Sequence, residues 1–169
     1  VGDQTTLETA EISDVPVSAT HSNARSFVDH PRNKTDDALK LIAEKGGVIG
    51  ANAFPLFLKK GYESTVGDYV DAIEDLVERV GIDHVGVGTD YTQDQPHAFF
   101  DWLWMQQGTK TVSENPVPEN HHHPYGMETP STLSTVAQGL ANRGYSTEDI
   151  TKVMGGNWLR LFEIAWTQS

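Results

Sequence analysis

An α/β fold on a parallel sheet is what this sequence predicts, and three observations predict it. Short runs that are apolar throughout, rather than alternating, suit strands covered on both faces. Amphipathic helical patterns separate these runs, so that successive strands lie parallel with a helix crossing between them. The stretch from the end of the first run at His21 to the end of the third at Asp90 holds two strand-helix repeats, close to the roughly 30 residues per unit of a (β/α)8 barrel, the TIM type. Such barrels carry their reactive residues where strands end and loops begin. His21, Asn52 and Asp90 all stand at such places.

The elements follow in order. "TTLETAEIS" patterns as a helix, and "PVSAT" (16–20) as a strand entered through Pro16, a tolerated first position. "TDDALKLIAEKGG" reads as a helix with Thr35 as N-cap, acids in the first turn and glycine past its end. "GVIGANAF" (47–54) is the second strand run. In "TVGDYVDAIEDLVERVG", Tyr69, Ile73, Leu76, Val77 and Val80 share one helical face with acids on the other. "HVGVGTD" (84–90) supplies the third strand. Near the C-terminus, Ser146 and Asp149 form a capping-box-like pair, and Gly155 and Gly156 are expected to break the helix before a second apolar face of Trp158, Leu161, Phe162 and Ala165.

Composition narrows the function. The chain has 169 residues, 37% of them hydrophobic and 21% charged, enough for one core and one domain. With 24 acidic against 12 basic residues and a net charge of −12, it repels phosphate backbones and anionic lipid surfaces, so nucleic acid is not an expected partner. There is no cysteine, so a metal would need His and carboxylate ligands. No apolar run is long enough for a membrane span, and no compartment is assigned.

Against this scarcity of cations, "VSATHSNARSFVDHPRNKTDD" (17–37) gathers His21, Arg25, His30 and Arg32 just past an apolar strand. A neutral imidazole is a good zinc ligand, a guanidinium can clamp a carboxylate through two parallel hydrogen bonds, and a carboxylate can pass a proton to a leaving amine. Each residue also has a plainer use. His21 could be a hydrogen-bonded structural residue, Arg32 could pair with Asp36 and Asp37, Asp90 could be a turn acid, and Asn52 could cap backbone rather than donate to a substrate carbonyl. "HHHP" (121–124) reads as a loop, and "NKT" (33–35) is a three-residue glycosylation pattern without weight. The long segment 91–129 carries "HAFFDWLWMQQ", in which Phe99, Phe100, Leu103 and Trp104 could form a lid-like apolar face over the strand ends, or pack in a core or dimer contact.

"THSNARSFVDHPRN", "GGVIGANAF", "VGVGTDYTQ" and "LANRGYSTEDITKVMGGNWLRLF" together resemble the C-terminal half of the membrane dipeptidase (renal dipeptidase) family of zinc metallopeptidases, over essentially the whole chain. The resemblance implies a metallo-dependent hydrolase-like barrel. It implies that His21 is a ligand of one of two zinc ions, that Arg32 holds the substrate carboxylate and that Asp90 serves in proton transfer, with Asn52 a weaker substrate-binding candidate. The substrate is then a dipeptide or related small amide with a free carboxylate, and a homodimer is a further expected partner. The family's His-x-Asp of the first strand, bridging glutamate and fifth-strand histidine have no counterpart here. The chain is therefore expected to be a single incomplete barrel domain over 1–169, about the last three strands with their helices. The competing expectation is a non-catalytic family member that acts as a binding or assembly module.

Overall fold

Three parallel strands in the order β1-β2-β3 organise the computed structural model, which describes residues 2–92, 95–96, 98–99, 102 and 123–167. β1 is Ser18–Ala19, β2 Val48–Ala51 and β3 Val85–Val87. Ser18 lies opposite Val48, Ile49 opposite Val85 and Gly50 opposite Gly86. The strands are shorter than the apolar runs that announce them. Asn52 to Phe54 leave the sheet for a 3-10 turn at Pro55–Phe57, and His84 belongs to another at Ile82–His84.

The helices are α1 (Asp3–Ile12), α2 (Asp36–Glu44), α3 (Val66–Val80), α4 (Ser134–Asn142), α5 (Thr147–Thr151) and α6 (Asn157–Thr167). Thr35 caps α2 by accepting from the Ala38 N–H, and Gly46 follows with φ +81°, the left-handed turn that ends many helices. Thr65 and Asp68 form a capping box on α3, with the Asp68 carboxylate also 2.8 Å from Lys60 Nζ.

Alternation along the strands sends Ile49, Ala51 and Val85 towards the helices. They join Leu39 and Ile42 of α2 and Tyr69, Ile73 and Leu76 of α3 in one buried cluster. Tyr69 is fully buried, and its hydroxyl donates to the Ala51 carbonyl at 2.8 Å; burial pushes its pKa far up. Tyr69→Phe keeps the ring and removes this bond, leaving the Ala51 carbonyl to the Gly88 N–H at 3.1 Å. We expect a loss of about 0.5–1.5 kcal/mol, the net value of one buried hydrogen bond, read as a lower denaturation midpoint at an unchanged m-value.

Gly50 and Gly86 point to the opposite side of the sheet. A Cβ on Gly86 would lie 2.4 Å from Trp158 Nε1, and that indole donates to the Val87 carbonyl at 3.0 Å. Trp158 thereby fastens α6 to β3. Before it, Lys152–Gly156 forms one wide helical turn with a kink at Gly155, so the expected break is a bend rather than a gap. Of the second apolar face, Leu161 is buried, whereas Phe162 is exposed and stacks with Trp158 and Trp166.

Helix α4 has no counterpart among the sequence expectations. Its Gly139 lies where a Cβ would come within 2.8 Å of Val70 Cγ2, which brings α4 close to α3. Val136 and Leu140 are its buried residues.

Candidate active site at the strand ends

Two buried asparagines brace the ends of β1 and β2 against each other. Asn23 Oδ1 accepts from the Asn52 N–H at 2.8 Å, and Asn23 Nδ2 donates to the carbonyls of Asn52 and Phe57, both at 3.0 Å. Asn52 Oδ1 accepts from the Phe54 N–H, and its Nδ2 donates to the His21 carbonyl at 3.3 Å. Both side chains are buried, and buried amides hold their positions because leaving one unpaired is unfavourable. The backbone-capping use of Asn52 is the one these contacts display.

His21 follows β1 and is exposed. Thr20 Oγ1 hydrogen-bonds its Nδ1 at 2.8 Å, an outer partner of the kind that orients an imidazole. The Thr20 carbonyl oxygen is packed against two glycines. A Cβ at Gly50 or at Gly88 would lie 2.1 Å from it. The ends of β1 and β3 therefore meet across β2, and this contact sets His21 and Asp90 on one rim.

Asp90 is exposed and has φ +61°, the one non-glycine residue with positive φ among the described residues. Aspartate tolerates this left-handed conformation better than most side chains. Tyr91 anchors the next position by donating to the Met127 carbonyl at 2.9 Å, with its ring edge-on to His123 at 4.5 Å.

The segment from Ser22 to Asp36 folds back on itself. Asn33 is buried, with Nδ2 donating to the Val28 carbonyl, which removes the glycosylation pattern from the surface. Arg32 is exposed; its N–H donates to His30 Nδ1 at 3.1 Å, and its guanidinium lies 5.7 Å from the centroid of Phe57. His30 packs edge-on against the same ring, and burial, seconded by Arg32, pushes its pKa down, so that Nδ1 remains an acceptor at neutral pH. Asp36 is committed elsewhere, to Ser26 and Arg79. Arg32 is in no ion pair among the described residues.

His21 and Arg32 line one open cleft of about 380 Å³, together with Thr6, Thr20 and Lys34. Asp90 is not among its lining residues. Asn52 stands beneath, joined to it through the His21 carbonyl. The described residues contain no group of three or more His, Asp or Glu side chains able to hold a metal ion. His21 thus fits as a single ligand, and a complete metal site needs donors other than those described. Of the lid-like stripe, Phe99 is described, 6.3 Å from the Trp102 ring; Phe100, Leu103 and Trp104 lie outside the described residues, as do His121 and His122.

Comparisons with known proteins bear on the family and the fold. The model of the membrane dipeptidases, peptidase family M19, matches residues 1–114. Dipeptidase tcpJ of Claviceps purpurea is 28% identical over 95% of this chain, which covers 32% of that protein. A crystal structure of an amidohydrolase from Pseudomonas aeruginosa is 38% identical, superposes with a TM-score of 0.89, and is matched by 99% of this chain over 51% of its own length. A metallopeptidase from Rhodobacter sphaeroides, crystallised with a phosphinate mimic of the dipeptide L-Ala-D-Ala, is 26% identical with a TM-score of 0.73, over 95% of this chain and 39% of that one. The chain thus spans between about a third and a half of these relatives' length.

Proposed function

Since this chain belongs to the membrane dipeptidase family, peptidase family M19, we propose that it supplies one side of a zinc-dependent site for hydrolysing dipeptides that bear a free carboxylate. The observation that carries the reading is the shared cleft of His21 and Arg32, with Asp90 on the same rim of strand ends. A metal ligand, an anion clamp and a proton carrier are what such a reaction needs from protein side chains.

In this reading His21 offers Nε2 to the metal while Thr20 holds the other ring nitrogen. Bound zinc would supply a water activated at neutral pH and polarise the scissile carbonyl. Arg32 orients the substrate by gripping its terminal carboxylate in a planar fork, which a lysine would not impose. Asp90 takes a proton on the attacking side and delivers it to the leaving amine. Asn52 acts by position, fixing the turn that presents His21. β1 and β3 each have a single ladder neighbour among the described residues, in keeping with a larger (β/α)8 barrel whose other strands flank them and bring the remaining ligands.

Zinc content, measured by elemental mass spectrometry after dialysis against metal-free buffer, tests the ligand assignment. The enzyme with its barrel complete is expected to hold two zinc ions per chain, and His21→Ala to lose at least one of them. Full zinc retention by His21→Ala would remove His21 from the metal site.

A further inference from the structure

Arg25 does not line the cleft, yet its contacts surround the residue that does the gripping. Its Nη1 and Nη2 donate to the two carboxylate oxygens of Asp3 at 2.6 and 2.7 Å, a bidentate pair that ties the segment to the first turn of α1. The same Nη2 donates to the carbonyls of Pro31 at 3.3 Å and Asn33 at 2.8 Å. These carbonyls belong to the residues on either side of Arg32. The Arg25 N–H completes the grip by donating to the Lys34 carbonyl at 2.8 Å. The pair is mutually reinforced: its hydrogen bonds to Arg25 draw the Asp3 pKa below the usual carboxylate range, and those to Asp3 raise that of Arg25.

We propose that Arg25 is a positioning residue that fixes the backbone on both sides of Arg32 and so aims the carboxylate clamp; this rests on the reading of Arg32 given above. One guanidinium spans an acid and two carbonyls because its donors fan out in a plane. An ammonium in its place could keep the attraction to Asp3, but not the whole planar set. A long, exposed arginine such as Arg32 has many rotamers, and anchoring its backbone at both neighbours limits where its head can reach.

Two measurements test this. In the chain itself, hydrogen exchange of Arg25→Ala is expected to speed up at the Asn33 and Lys34 amides, which donate within the loop to His30 and Asn23, while α3 amides keep their protection. Acceleration throughout the chain, or none, would overturn the proposal. In the zinc-loaded enzyme, Arg25→Ala is expected to raise KM for a free-carboxylate dipeptide about tenfold with kcat within about twofold, and to leave KM for the C-terminal amide unchanged. Arg25→Lys and Asp3→Asn, milder changes that guard against a misfolded alanine variant, are expected to give smaller shifts of the same kind. If Arg32→Ala weakens binding of the free-carboxylate dipeptide while no Arg25 variant does, the positioning role is refuted and the clamp stands. If Arg32→Ala has no such effect, the clamp reading falls and takes this one with it.

Discussion

Asp90→Asn is expected to lower kcat for dipeptide hydrolysis by about 10²- to 10⁴-fold, with KM changed only a few-fold. Asparagine matches aspartate in shape and shares its tolerance of the left-handed conformation that Asp90 occupies at φ +61°. The backbone after β3 is then undisturbed, and thermal denaturation of the variant should superimpose on that of the parent. What disappears is a carboxylate that can accept a proton and give it back. A drop of less than tenfold in kcat would assign the proton transfer to another group. The same position offers a geometric control. Asp90→Val combines loss of the acid with a β-branched side chain where φ is positive, and should destabilise the chain as well.

Gly50→Val is expected to have the largest effect on the fold. The first side-chain carbon would sit 2.1 Å from the Thr20 carbonyl oxygen and 3.0 Å from Gly88 Cα, both of them backbone atoms that cannot rotate aside. Relief requires β1 to move off β2, which breaks the bond from the Ser22 N–H to the Gly50 carbonyl and carries His21 out of place. A loss of about 3 kcal/mol or more is expected in denaturant titration, together with loss of zinc from the complete enzyme. Gly67→Ala is the matched control. That glycine lies in the first turn of α3, where a Cβ would meet Thr65 Oγ1 at 3.4 Å, an ordinary contact, so the substitution should leave stability unchanged or raise it by up to about 1 kcal/mol. Equal losses at both positions would mean that glycine is required at neither for its close approach.

The parts of this fold legible in the sequence are those whose physics is local. Tyr69, Ile73 and Leu76 recur at helical spacing with acids outward, and Thr65 and Thr35 stand one residue before their helices. Short apolar runs mark all three strands, although only part of each run pairs, with 52–54 and 88–90 beyond the ends of β2 and β3. Helix α4 is hard to discern in the sequence because its few apolar residues are interspersed with Ser134, Thr135 and Gly139, which weaken both propensity and pattern. Its C-terminal signal was nonetheless present in Gly144, which adopts φ +88°.

The candidate site divides in the same way. The placement of His21, Asn52 and Asp90 at strand ends follows from where the apolar runs stop. Their mutual arrangement depends on contacts between distant residues, such as the Asn23–Asn52 brace and the seating of the Thr20 carbonyl against Gly50 and Gly88. No spacing rule encodes those contacts. Arg32 reaches the His21 cleft because residues 22–36 fold back, and Arg25 acquires its significance only through carbonyls that the sequence does not display.

The central claim is that this chain carries the carboxylate clamp, a metal ligand and the proton carrier of a zinc dipeptidase. Its most direct test is a paired hydrolysis assay on the zinc-loaded enzyme containing this chain, using one dipeptide with a free C-terminal carboxylate and the same dipeptide as its amide. We predict that the free-carboxylate substrate is cleaved with kcat/KM at least about tenfold higher, the value of a charged hydrogen-bonded contact, and that a chelator abolishes the activity until zinc is restored. Cleavage of neither dipeptide by fully zinc-loaded enzyme, or of both with equal efficiency, would contradict the account.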